Sequence, residues 1–328
     1  MNPPIIIDCS YLNDLLAQPE VLQRVIAKLT TTLFDPAIKA RAYTRVVLTG
    51  MGSSLHAQYP LHRALSSSGV TSHWIETAEL LLGFDSLYAK DTLLIAVSQS
   101  GESAEIVKLM ERAAEFGHVI GITNNADSTL GRAAGTVLTL EAGVESTVSC
   151  KTYVSTLAVL HWLGAQLLDC ESPLAELKNT EAAVREYLTH WREHVARLLP
   201  LLDGITSVFV TGRGDSLATA GTGGLILKES TRQHAEGMSA AAFRHGPLEM
   251  AGAHVLVFIF EGDETTAALH RRLAEDIERG GGKVLLIEHH PSPITEILPV
   301  QMLSLAIAAR DGFEAGRFER ASKITNIA

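Results

Sequence analysis

Short, unbroken apolar runs recur along the chain: VVLTG at 46–50, TLLIAV at 92–97, HVIGIT at 118–123, then VFVTG at 208–212, HVLVFIF at 254–260 and KVLLIE at 283–288. They are rich in Val, Ile and Leu and do not alternate with polar residues, the pattern of strands buried on both faces. Stretches of helical period separate them, EIVKLMERAAEFG at 105–117 and ALHRRLAEDIERGGG at 268–282. Continuous apolar strands alternating with amphipathic helices predict parallel βαβ units with right-handed crossovers.

The pattern occurs twice. VVLTGMGSSL at 46–55 is matched by VFVTGRGDSL at 208–217, 162 residues further on. TLLIAVSQSGESA at 92–104 pairs with HVLVFIFEGDETT at 254–266. A repeat of this size points to duplicated domains rather than a solenoid. The expected architecture is α/β, two tandem domains, each a doubly wound parallel sheet flanked by helices. The boundaries read from the pattern are an N-terminal helical segment at 1–35, a first domain at 36–170, a linking helix at 171–203 and a second domain at 204–328. The run KTYVSTLAVLHWLGAQLLD at 151–169 is apolar nearly all round and predicts a buried helix.

Composition narrows the partners. With 328 residues, 46% of them apolar and 5% aromatic, the chain can bury two cores of covered parallel sheet. A net charge of -10 disfavours nucleic acid and anionic membranes, yet leaves room for a small anionic metabolite held by backbone dipoles. Cys9, Cys150 and Cys170 form no Cys-x-x-Cys, an odd count that fits a reducing cytoplasm. No run reaches membrane-spanning length.

Two loops of the first half carry the candidate chemistry. Gly50-Met51-Gly52-Ser53-Ser54 and Ser98-Gln99-Ser100-Gly101-Glu102-Ser103 both follow strands. Ligands of open parallel sheets sit beyond the carboxyl ends of strands, where amides opening a helix meet an anion. Serine hydroxyls add neutral donors, so a phosphate monoester can be held without Lys or Arg. The same loops also suit plain strand-to-helix turns. Nucleotide motifs fail: Leu55 and Leu217 stand where a Rossmann loop needs its third Gly, and no Walker Lys follows either loop. In the second half Phe260-Glu261-Gly262-Asp263-Glu264 replaces the Ser-Gln-Ser loop and would repel an anion.

At these residues the chain resembles the sugar-isomerase (SIS) family. It is similar to the isomerase half of glucosamine-6-phosphate synthase and to its deaminase and deglycase relatives. The resemblance runs nearly end to end. It covers the opening helix Asp14–Glu20, the loops Gly52–Ala57 and Ser98–Ser103, Leu227-Lys228-Glu229-Ser230, His234-Ala235-Glu236, Arg244–Leu248, Gly316-Arg317-Phe318 and Ser322-Lys323-Ile324-Thr325. By position it implies that Ser54, Ser98, Gln99, Ser100 and Ser103 hold a sugar phosphate and nearby hydroxyls, with Val148 in the substrate-binding set. Glu229 would move a proton between C1 and C2. His245, reaching the site from a neighbouring subunit, would assist ring opening. Lys323, in the C-terminal tail, would meet the open-chain carbonyl as an amine. These residue types suit the chemistry: a carboxylate can take and return a proton, His titrates in the right range, and an amine can form a Schiff base.

Two departures stand out. Ala241-Ala242 replaces the Gly-Glu that precedes the family's His loop, and the stretch Glu145–Lys151 is one residue shorter, with Cys150 where Thr is usual. The expectation is an amino-sugar 6-phosphate isomerase and deaminase with glucosamine-6-phosphate as default substrate. The alternatives are a fructosamine-6-phosphate deglycase or a non-catalytic phosphosugar-binding module. Nothing in the 328 residues resembles a glutaminase domain, so the chain is expected to take no ammonia from glutamine by itself. No cofactor is implied. No metal is implied either, His289-His290 being the one close His pair noted. The resemblance implies a homodimer or higher homo-oligomer.

Overall fold

The computed structural model describes residues 6–262, 264–288 and 292–320. These fall into two compact units. One comprises residues 17–145, 149–181 and 320; the other comprises 182–319 together with 6–16 and 146–148.

Helices α1 (Ser10–Leu16) and α2 (Gln18–Thr31) precede the first strand. The first sheet is built in chain order from β1 (Arg45–Gly50), α3 (Ser53–His56), α4 (Tyr59–Ser67), β2 (Ser72–Glu76), α5 (Thr77–Gly83), β3 (Thr92–Val97), α6 (Ala104–Glu111), β4 (His118–Thr123), α7 (Thr129–Ala133) and β5 (Thr136–Thr139). Its strand order is β2-β1-β3-β4-β5, parallel throughout. The chain leaves β1 toward β2 on one side and returns to β3 on the other, which makes the β1/β3 pair the switch point of the winding. Val47, Leu94 and Ala96 pack with Leu80, Ile106 and Leu109 in a buried cluster. The apolar run at 151–169 is helix α8 (Lys151–Leu168), buried along nearly all its length.

Two helices, α9 (Leu174–Thr189) and α10 (Trp191–Leu198), follow, separated at His190. The second sheet comes from β6 (Ser207–Gly212), α11 (Ser216–Thr231), β7 (His234–Ser239), α12 (Ala240–Arg244), β8 (Val255–Phe260), α13 (Glu264–Arg279), β9 (Lys283–Ile287) and α14 (Pro293–Asp311). Its order is β7-β6-β8-β9, again parallel. Strands β1 and β6 lie 162 residues apart, as do the starts of β2 and β7, so the sequence repeat is a structural repeat. The register shifts by one at the next pair. Because β8 spans 255–260, Phe260 belongs to the strand and Glu261 is the counterpart of Ser98.

Helix α11 lies very close to β7, with glycine at the contact. A Cβ on Gly237 would stand 2.0 Å from the Ala220 carbonyl oxygen, and one on Gly224 would stand 2.3 Å from the Gly237 nitrogen. The helix runs antiparallel to the strands, carrying the chain from the carboxyl edge of the sheet at Ser216 back to its amino edge at Thr231. That direction decides where the candidate catalytic residues lie.

Candidate functional site

β1 and β3 are hydrogen-bonded neighbours with Gly50 opposite Val97, so the loops that follow emerge side by side, about 5 Å apart. The approach is tight enough that a Cβ on Gly50 would lie 2.9 Å from the Val97 carbonyl oxygen. Ser54, Ser98, Gln99, Ser100 and Ser103 are therefore brought to one sheet edge, at the switch point.

The Ser54 backbone is fixed while its hydroxyl is not. The fully buried Gln58 donates from Nε2 to Thr49 O at 2.8 Å and to Ser54 O at 3.0 Å, tying α3 to the end of β1. Among the described residues no hydrogen bond engages the Ser54 hydroxyl. The second loop folds on itself. Ser98 Oγ accepts from the Gly101 amide at 3.2 Å and Ser100 Oγ accepts from the Glu102 amide at 3.1 Å, which leaves each hydroxyl proton to be directed elsewhere. Ser103 occupies the N-cap of α6 without making a side-chain cap, so the first-turn amides of that helix are uncapped.

Several residues that hold this loop carried no signal in the sequence. The Glu102 carboxylate accepts from the Thr129 amide at 2.7 Å and the Thr129 hydroxyl at 2.9 Å, fastening the loop to the start of α7. Gly101 has φ +66, and a Cβ there would fall 2.0 Å from Ser128 Oγ. The Gln99 carbonyl accepts from the Asn124 amide at 3.0 Å. These partners stand more than twenty residues away in sequence, beyond any local pattern. The loop is thus a rigid frame bearing hydroxyl and amide donors and no basic side chain of its own.

Glu145 was also missed. Buried at 5% exposure, it accepts from the Cys150 amide at 3.0 Å and the Thr152 amide at 3.1 Å through Oε1, and from the Thr152 hydroxyl at 2.6 Å through Oε2. Its carboxylate caps α8, and the cap closes the 145–152 stretch that carries the fully buried Val148.

Glu229 and His245 belong to helices flanking the second sheet. Glu229 is half-buried near the carboxyl end of α11, beside Lys228, whose Nζ stands 3.7 Å from Glu236 Oε2. His245 is exposed at the C-cap of α12, its amide donating to Ala242 O at 2.9 Å. Arg244 before it is held by Asp276 at 2.6 Å. Since α11 returns the chain to the amino edge, Glu229 sits by the start of β7, whereas His245 follows its end. Helix α11 packs against Val210 and helix α12 against Phe209, neighbours on β6 that point to opposite sides, so Glu229 and His245 belong to opposite faces of the second sheet. Within one unit they do not converge. Lys323 and His289-His290 lie outside the described residues. Among the described residues, no group of three or more His, Cys, Asp or Glu is placed to hold a metal ion, and no helix is long and apolar enough to cross a membrane.

The repeated sheets and their loops have a counterpart among known proteins. The SIS domain matches residues 40–165 and again 202–296. The chain belongs to the SIS domain family. Similar curated proteins include the isomerizing glutamine–fructose-6-phosphate aminotransferases of Pyrobaculum aerophilum, 27% identical, and Pyrococcus horikoshii, 28% identical; each match spans 96% of this chain and 57% of the relative. The chain thus corresponds to little more than half of those proteins. Among solved structures, the C-terminal domain of glucosamine-fructose-6-phosphate aminotransferase from Francisella tularensis superposes with a TM-score of 0.83 at 20% identity, covering 95% of this chain and 99% of that one. Glucosamine-6-phosphate deaminase from Thermotoga maritima gives 0.82 at 16% identity, covering 97% and 100%. At such identities the superpositions establish a shared fold. In this SIS chain, both copies keep the central strand and the turn after it, with Gly52 at φ +52 and Gly214 at φ +59.

Proposed function

We propose that this SIS chain is a cytoplasmic sugar-phosphate isomerase and deaminase acting on an amino-sugar 6-phosphate of the glucosamine-6-phosphate kind. The observation that carries the reading is the Ser98–Ser103 loop. It is a rigid, hydroxyl-bearing frame at the β1/β3 switch point, with the uncommitted Ser54 hydroxyl on the neighbouring loop and an uncapped helix start behind it. Such a frame suits a phosphate monoester gripped by neutral donors, which orients the sugar far from its reacting carbons.

The chemistry then follows. Ring opening, assisted by His245, exposes the C1 aldehyde. Glu229 takes the proton from C2 and returns it to C1, converting the 2-amino aldehyde through an enolamine to a C2 imine with a C1 hydroxyl. Water hydrolyses the imine, giving the ketose phosphate and ammonia. Hydrogen moves only from C2 to C1, and the last step exchanges the imine nitrogen for the oxygen of water with ammonia leaving, so the route needs no redox cofactor. Val148 joins the substrate-binding set and Lys323 meets the open-chain carbonyl. The separation of Glu229 and His245 across β7 supports a site completed by a second copy of the chain, and hence a homo-oligomer.

Ala242, small where the synthase pattern carries a carboxylate, favours a second reading: a larger amine on the sugar, as in a fructosamine 6-phosphate. Ammonia release from glucosamine-6-phosphate by purified protein, compared with Glu229→Gln, tests the first reading. Release lost in the variant is the expected result. Absence of release by the wild type, with turnover of a fructosamine phosphate, would replace it with the second.

A further inference from the structure

The second copy of the Thr-Gly-x-Gly-x-Ser-Leu motif has no part in the chemistry above, and its surroundings show what became of it. Ser216 is the counterpart of Ser54, after the equivalent strand and two residues beyond a glycine of positive φ in both copies. Whereas the Ser54 hydroxyl is uncommitted, Ser216 Oγ donates to Glu296 Oε1 at 2.7 Å, and Thr219 Oγ1 donates to Glu296 Oε2 at 3.0 Å. Glu296, contributed by α14, is only 4% exposed. Its two oxygens thus rest against the first turn of the 16-residue helix α11, where the amide dipoles favour negative charge.

We propose that the second copy is an anion site filled from within: the Glu296 carboxylate takes the place that a ligand's anionic group takes in the first copy. The site's hydroxyls are spent on it, and its charge opposes a second anion. The companion loop has changed in step. Glu261 stands where the first copy has Ser98, itself 7% exposed and paired with Arg271 at 2.7 Å, which adds a carboxylate where a phosphate would need donors. The chain therefore takes one phosphosugar, and the second copy is a self-liganded scaffold whose internal anion fastens α14 to α11.

Glu296→Ala removes a CH2–COO⁻ group, the size of acetate, so the test is rescue. Thermal melts of the full chain would compare wild type, Glu296→Ala and Glu296→Gln in acetate and in chloride at equal ionic strength. The alanine variant should melt roughly 5–10 °C lower, the glutamine variant should fall in between, and acetate should restore about 2 °C or more in the alanine variant alone. A glutamine variant as stable as wild type, or an alanine variant indifferent to acetate, would overturn the proposal. If the alanine variant does not fold, the glutamine comparison decides. Calorimetric titration with glucosamine-6-phosphate adds the stoichiometry, which rests on the function proposed above: one site per chain is expected, and two would refute the self-liganded site. No binding at all would sink the substrate reading and leave Glu296 to the acetate comparison.

Discussion

Gly101→Ala is the sharpest probe of the phosphate frame. Gly101 sits at φ +66, where a side chain is strained, and its Cβ would meet Ser128 Oγ at 2.0 Å, Ser128 Cβ at 2.6 Å and Thr123 Oγ1 at 3.0 Å. Ser128 cannot simply turn away. Its hydroxyl donates to Asn125 O at 2.6 Å and accepts from the Gly131 amide at 3.2 Å as the N-cap of α7. The costs are about 1–2 kcal/mol for the left-handed conformation, about 1 kcal/mol for a lost cap and about 1–3 kcal/mol for overpacking. A loss near 4 kcal/mol is expected, or roughly 8–15 °C in melting temperature for a unit of this size. Gly69 supplies the control. It has φ +79 with nothing within 4 Å of an added methyl, so Gly69→Ala tests conformation without the clash and should cost only about 1–2 kcal/mol. Denaturant titration of both variants measures the difference, and phosphosugar affinity should fall at least about tenfold for Gly101→Ala alone as the loop leaves α7. Equal stability of the two variants, or unchanged affinity in Gly101→Ala, would refute a loop held by its fit against Ser128.

Two further outcomes follow. Glu145→Ala should cost about 3 kcal/mol, because it leaves two amides at the start of α8 without their acceptor, and the substrate KM should rise more than kcat falls as the stretch bearing Val148 loosens; a denaturant midpoint and a KM-against-kcat comparison check it. Hydrogen bonds from Arg244, and then Arg279, hold the Asp276 carboxyl below its ordinary value. The stabilisation it brings is therefore complete above the unfolded carboxylate's pKa, near 4, and is lost as pH falls through the lower folded value. Asp276→Asn should melt below wild type from pH 5 to 8, with the gap closing below about pH 4; a gap that widened on acidification would contradict the ion pair beside His245.

Much of this was legible in the sequence because it is local or repeated. Apolar runs marked six of the nine described strands, while β2, β5 and β7, mixed in polarity, were not among them, and the 162-residue repeat pointed to two copies of one winding. The shift of one residue at β8 was hidden because HVLVFIF is apolar at both ends, so either frame of the strand reads alike. The Ser54 and Ser98–Ser103 loops were found from glycine and serine following strands. What escaped were buried carboxylates: Glu102 with Thr129 and Glu296 with Ser216 across long separations, and Glu145 with Cys150 five residues on, each indistinguishable in the sequence from a solvated surface residue. The placing of Glu229 and His245 on opposite faces of the second sheet likewise needed the winding of the chain, which no motif carries.

Calorimetric titration of glucosamine-6-phosphate into wild type and Ser100→Asp decides whether a phosphate seats on the first copy's loops. The carboxylate should abolish binding, a loss of roughly a hundredfold or more, with the fold intact by circular dichroism. Unchanged affinity in the variant would place the phosphate elsewhere and contradict the account.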